Sequence, residues 1–200
     1  MRLQFSRDLR RLLEKERDQP LTLADILLET SERSFLLIIG LLALPFLFPM
    51  PPGVSTVLGS ACLLLSVQMA LGQRTPWLPR RIAAFHLPQV FVVQLLKSLG
   101  RVAKVIEKIT KPRWPRFSQN ASVLRINGIC LLWLTLLLML PVPFTNPIPA
   151  TGMLLLAIST LEKDGLLMFL GYAVVGLNTA LFGAITYLLW RSPDIIQQFL

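Results

Sequence analysis

The chain has little of what most enzymes and secreted domains are built from. Its 200 residues include one histidine, His86, and two cysteines, Cys62 and Cys130. Both cysteines lie in apolar runs, where a thiol serves as a small hydrophobe, so neither a disulfide nor a metal site is expected. His86 has no Cys or His companion at ligand spacing, which argues against zinc. There is no Ser-His-Asp arrangement, no Gly-rich phosphate loop and no metal-binding motif, so the expectation is a non-enzyme with no metal and no cofactor.

Charge is also missing, but only in places. Ser34 to Gly72 holds no Asp, Glu, Lys or Arg. Acid is missing where base is dense: residues 73–126 carry eleven Lys/Arg against the single acid Glu107. Residues 1–33 carry seven of each sign and balance, so the net charge of +9 belongs to the central segment. A basic block between apolar blocks fits a cytoplasmic loop facing anionic lipid headgroups. No nucleic-acid motif accompanies it, and nucleic acid is not the expected partner. A charged leader precedes the first apolar run with no cleavable signal pattern, which places the N-terminus in the cytoplasm.

What is abundant is apolar surface: 54% of residues are hydrophobic and the mean hydropathy is +0.61. Residues 3–17 read as an amphipathic helix ended by Pro20. "TLAD", Thr22 to Asp25, resembles a cap for a second short helix. Ser34 to Met50 and Gly53 to Gly72 are uncharged apolar segments, the first marginal and the second sufficient to span a membrane. "QRTPWLPRR" at 73–81 has the Arg and Trp of a headgroup border. Beyond it, Lys97, Arg101, Lys104, Lys108 and Lys111 fall in one stripe of a helix, opposite Leu95, Leu99, Val102, Val105, Ile106 and Ile109. That pattern suits an interfacial helix lying on lipid, or a long helix packed on a partner subunit. Val123 to Leu140 is apolar apart from Arg125 and Asn127. Ala150 to Leu161 is too short to span unaided, and Leu166 to Trp190 is long enough to span with tilt. Gly176, Ala180 and Ala184 recur four apart on this last run and permit close helix approach, including a homodimer.

Two proline-rich breaks interrupt the apolar regions. The first contains Pro45, Pro49, Pro51, Pro52 and Gly53. The second contains Pro141, Pro143, Pro147 and Pro149. A shift of 96 residues lays "LPFLFPMP", Leu44 to Pro51, over "LPVPFTNP", Leu140 to Pro147, and both fit L-P-x-x-F-x-x-P. Paired broken segments point to a site between related halves in transporters; the plainer reading is a tight loop at the far side of each hairpin. The prolines either meet water at a surface or re-enter the membrane, where protein or a wet cavity must shield them.

Several polar residues border these features. Glu32 and Arg33 stand at the entrance to the first apolar segment; Glu162, Lys163 and Asp164 stand at the exit of the short one. They can line a pathway, or anchor and cap helices. Arg125 can pair with an acid or snorkel to headgroups. Ser55, Thr56, Asn146 and Thr151 flank the breaks, where they can satisfy backbone groups freed by proline or contact a polar solute. Gln68 is a weaker candidate of the same kind.

"SERSFLLIIGLLALPFLFPMPPGVSTVLGSACLLLSVQMALGQRTPWLPRR" and "LMLPVPFTNPIPATGMLLLAISTLEKDGLLMFLGY" resemble the two halves of the ExoD family, the exopolysaccharide synthesis ExoD proteins. The likeness runs over roughly residues 20–190. Its signatures are Glu32-Arg33, the PPG-x-ST turn from Pro51 to Thr56, Gly72 with the Pro76-Trp77-Leu78-Pro79 border, and Glu162 with Asp164-Gly165. Where the family usually has Arg between that Glu and Asp, this chain has Lys163, which keeps the charge without the forked geometry. The resemblance implies a bacterial inner-membrane protein connected with exopolysaccharide production, and polysaccharide synthesis components as partners.

The expected architecture is an all-α, multi-pass integral membrane protein of two related halves. Residues 1–33 form an amphipathic leader, 34–72 a first broken hairpin, and 73–122 a basic interfacial segment. Residues 123–164 form a second broken hairpin, and 165–200 a final transmembrane helix and tail. The expected function is a small transporter or channel-like factor with its site between the breaks. The competing readings are a scaffold subunit of a polysaccharide assembly and, behind both, an enzyme on lipid-linked precursors.

Overall fold

The computed structural model describes residues 34–47, 54–73, 76–80, 114, 118, 120–140 and 145–191, which form helices and turns and no strand. There are five α-helices among them: α1 (Ser34–Ala43), α2 (Val54–Ala70), α3 (Ala121–Met139), α4 (Pro147–Leu161) and α5 (Gly165–Arg191). The expectations for the leader and for the interfacial stripe Lys97, Arg101, Lys104, Lys108 and Lys111 lie outside the described residues, as do Glu32, Arg33, Pro49, Pro51, Pro52, Gly53, Pro141 and Pro143.

The helix ends follow from local chemistry. α1 tightens into a 3-10 turn at Leu44–Leu47 whose Leu44, Pro45 and Phe46 are buried. Pro45 has no N–H for an α-helical bond and its ring clashes with the turn before it, so the α-helix stops there. The first apolar segment therefore yields a ten-residue helix rather than one reaching Met50. α2 ends at Ala70 and is closed two residues later by Gly72, where φ is +78°. Gly72 N–H donates to Met69 O at 3.0 Å and Gln73 N–H to Gln68 O at 3.0 Å, the crossed pair that closes a helix with a left-handed residue. α4 ends the same way around Lys163, with φ 58°, although a lysine there carries a Cβ penalty that glycine avoids.

Sequence reading ended the second break at Pro149 and began the apolar piece at Ala150, but α4 begins at Pro147. A first-turn residue needs no N–H, and the fixed φ of proline suits that position. Pro147 and Pro149 therefore start a helix. α4 is also the central element: it packs against α1, the 3-10 turn, α3 and α5, while α2 packs on α1 and α3. Eleven of its fifteen residues are buried.

Glycine sets the closest approaches. A Cβ on Gly128 of α3 would lie 2.4 Å from the backbone nitrogen of Ala70, so α2 and α3 touch main chain to main chain there. At their other ends Gly59 sits against Met139. The two helices thus run antiparallel. Gly152 of α4 nestles between Leu134 and Val174, and Gly171 of α5 lies over Leu156, which makes α4 antiparallel to α5.

Length separates α5 from the rest. α4 is about 22 Å long and α5, with 27 residues, about 40 Å. The contact of Gly152 with Val174 brings the start of α4 level with residues 178–179 of α5. Twelve further residues of α5 continue past that level, and they include exposed Tyr187, Leu188 and Trp190. α3 likewise presents exposed Ile126, Ile129, Trp133, Leu136 and Leu140 at helical spacing. By length and composition, α3 and the Gly165–Leu188 part of α5 can each cross a membrane.

Candidate functional site

The two ends of the bundle differ in chemistry. At one end, the first break ends at Val54, one turn before Gly59, and the second opens at Leu140, beside the Met139 that Gly59 touches. The start of α2 and the end of α3, which border the two breaks in sequence, are therefore neighbours. The other end gathers Gly72, Arg125, Glu162, Lys163 and Asp164.

At this charged end the backbone is closed by specific side chains. Asp164, 1% exposed, accepts from Leu166 N–H at 3.1 Å and Leu167 N–H at 3.2 Å, which caps α5. Its own N–H donates to Ser159 O at 2.8 Å. Glu162, half-buried, closes α4 through its N–H to Ile158 O at 2.9 Å. Gln68 binds the main chain of Trp77 twice, its Nε2 donating to Trp77 O at 2.6 Å and its Oε1 accepting from Trp77 N–H at 2.8 Å. That clamp holds the Pro76–Pro79 border on α2, so this amide is engaged with backbone. Arg125 is exposed and lies along Gly72, with no acidic partner among the described residues.

A buried polar node joins α3, α4 and α5. Asn127, fully buried, donates from Nδ2 to Thr160 Oγ1 at 2.9 Å and accepts at Oδ1 from the Tyr172 hydroxyl at 2.6 Å. Thr160 in turn donates to Leu156 O at 2.7 Å. Tyr172 packs edge-on against Phe169, and Phe169 against Trp114. Sequence reading noted Asn127 only as an interruption of an apolar run. An amide inside such a run was the available signal, since a buried amide demands partners.

At the break end the helix start is donor-poor. Pro147 and Pro149 have no N–H; Ile148 N–H donates to Thr145 O at 3.0 Å and Ala150 N–H to Asn146 O at 3.2 Å. Thr151 donates back to Pro147 O at 2.7 Å, which is the backbone role expected of it. Asn146, half-buried, makes no side-chain cap bond. Thr56 is exposed in the first turns of α2, and Ser55 precedes it there. On α5, Asn178 is fully buried and donates Nδ2 to Val174 O at 2.8 Å, but its Oδ1 has no partner. Next to it, Trp133 Nε1 donates to Thr179 Oγ1 at 2.8 Å, linking α3 to α5.

A family model described as "Exopolysaccharide synthesis, ExoD" matches residues 5–184. A protein of Rhizobium meliloti (strain 1021) named "Protein ExoD" is 32% identical over 187 residues, covering 92% of this chain and 78% of that protein. An uncharacterized protein of Synechocystis sp. is 27% identical over 191 residues, covering 93% of this chain and 90% of its own. No solved structure matches the chain significantly.

Proposed function

Because the chain belongs to the ExoD family, whose description names exopolysaccharide synthesis, we propose that it serves that process as a multi-pass inner-membrane protein with a transport or channel-like site between the two proline breaks. The reading takes residues 73–126 and the N-terminus as cytoplasmic, anionic lipid as the partner of the basic segment, and the role as non-enzymatic.

The observation that carries it is the overrun of α5. If α5 lies in lipid from Gly165 onward, the hydrocarbon extends roughly 30 Å along it. The start of α4 lies level with residues 178–179, about 20 Å in, while α3 runs on past Thr179, which Trp133 meets. About five further residues of α5 lie within that hydrocarbon thickness. The start of α4 then lies inside the membrane. Irregular backbone is tolerated at that depth only where protein buries it or a water-filled cavity meets it. This is the re-entrant arrangement of two broken hairpins.

The helix pairing supports two related halves. α1 and α2 flank the first break, α3 and α4 the second. Across the halves α1 packs on α4 and α2 on α3. Those two contacts exchange when the halves are swapped, as a pseudo-two-fold axis requires.

One observation favours the scaffold reading. Gly128, Gly152 and Gly171 each have a neighbour that a Cβ would crowd, whereas Gly176 and Gly183 have nothing within 4 Å. Helical glycine is unfavourable without such a reason, and a partner helix or a second copy on α5 would supply one.

Vesicles reconstituted with the full chain separate the readings. Solute flux that disappears when a bulky residue replaces Asn146 supports transport. Absence of flux for every ion and sugar tested, with retention of polysaccharide synthesis components in a pull-down, supports the scaffold.

A further inference from the structure

Arg125 is a charge that the fold leaves without a counterpart. Its guanidinium lies along Gly72, where a Cβ would come within 2.8 Å of Nε. Among the described residues it meets no acid and no hydrogen-bond acceptor. Arginine stays charged in proteins, and its forked N–H donors fit two oxygens at once. The residue is exposed in the second turn of α3, beside exposed Ile126 and Ile129. A cation placed among apolar side chains calls for an anion.

The surface that Arg125 heads follows from one contact. Gly128 of α3 and Ala70 of α2 touch main chain to main chain. A residue three before such a point, or one after it, is turned about 60° to 100° from the contact, in a fixed direction. Arg125 and Ile129 hold those places on α3, Val67 and Leu71 on α2. Because the two helices are antiparallel, both turns lead to the same side of the pair. Leu136, eight residues beyond Gly128, returns to that side of α3. All four apolar side chains are exposed, Leu71 by 70% and Ile129 by 57%. They form one apolar face along the α2–α3 seam, with the guanidinium at its charged end. Ser122, exposed three residues before Arg125, adds a hydroxyl on the same side. The first turns of α3 add partial positive charge.

We propose that Arg125 and the α2–α3 seam seat one anionic phospholipid. The guanidinium and the Ser122 hydroxyl bind its phosphodiester, and an acyl chain lies along Leu71, Val67, Ile129 and Leu136. A free phosphate would satisfy the arginine and leave this apolar face in water; a lipid supplies the anion and the chain together. The assignment rests on the membrane reading in the proposed function, and it names a residue and a groove where that reading gives only a basic segment.

Trp133 provides the readout, because it is exposed one turn beyond Ile129 on α3. The full chain carrying Trp77→Phe, Trp114→Phe and Trp190→Phe is held in detergent micelles. Phosphatidylglycerol or phosphatidylcholine with brominated acyl chains is titrated in, and bromine in contact with the remaining indole quenches it. Half-quenching is expected at a lipid-to-detergent ratio about tenfold lower for phosphatidylglycerol than for phosphatidylcholine. Arg125→Gln abolishes that preference and Arg125→Lys keeps part of it, while the exposed position leaves folding unchanged. Lys104→Gln with Lys108→Gln leaves the preference intact, and so does excess inorganic phosphate. Equal quenching by the two lipids overturns the proposal. So does a preference that survives Arg125→Gln, one lost in the lysine pair, or one removed by inorganic phosphate. Equal quenching leaves the membrane reading standing, whereas no quenching by either lipid sinks both; solute flux is measured separately and decides neither.

Discussion

The charged end and the break end of this bundle solve the same problem in opposite ways. Each must terminate helices within an apolar surround. At the charged end, Asp164, Gln68, Gly72 and Asn127 close nearly every backbone and amide group with a named partner. At the start of α4, Pro147 and Pro149 bring no N–H to be capped, and Ile148 and Ala150 bond the carbonyls just before the helix. A fully satisfied terminus is a structural clamp. The difference teaches that a helix opened by proline needs fewer partners at its first turn than one opened by other residues.

The comparison predicts that substitutions among the partnered groups of the charged end act on stability. The largest stability effect is expected for Gly128→Val. The added side chain enters the main chain of Ala70, and overpacking of this kind is destabilising by about 3 kcal/mol. Chemical unfolding in mixed micelles measures it. Gly176→Ala is the control: with nothing within 4 Å it stabilises α5 by about 0.8 kcal/mol in a monomer. Destabilisation there instead, together with loss of self-association, reveals a packed second copy.

Asn127→Leu ranks next. It strips Thr160 and Tyr172 of a shared partner and lowers stability by about 2 kcal/mol, whereas Tyr172→Phe removes one bond and lowers it by about 1 kcal/mol. Equal and negligible effects would show the node to be passive. Asp164→Ala removes the α5 cap and is expected to lower stability by about 1 kcal/mol. The smallest effect is a gain. Lys163→Gly relieves the left-handed residue at the end of α4 and raises the unfolding midpoint by the equivalent of about 0.5 kcal/mol.

Much of the fold was legible in the sequence. The runs behind α2, α3, α4 and α5 gave helices within a few residues of their limits, whereas the run from Ser34 left the α-helix at Ala43, before Pro45, because proline, glycine and charge leave apolar runs few alternatives. Pro147 and Pro149 were misread as break because proline signals the start of a helix as readily as its end. The Asn127 node was not legible: its partners lie 33 and 45 residues away, and pairwise geometry is not written in local pattern. Nor was the antiparallel packing of the 15-residue α4 on the 27-residue α5. α4 and α5 have similar hydropathy, yet one is sheathed in protein and half of the other is bare. Composition does not distinguish the two.

Depth is the central claim, and spin labels measure it directly. Cysteines placed singly at Thr145 at the second break and at Leu188 on α5, in a chain lacking Cys62 and Cys130, report their immersion through lipid-soluble and water-soluble relaxation agents. The account predicts that the Thr145 label lies about 10 Å further inside the bilayer than the Leu188 label while remaining open to the water-soluble agent. A Thr145 label at the headgroups, level with or outside Leu188, would contradict it.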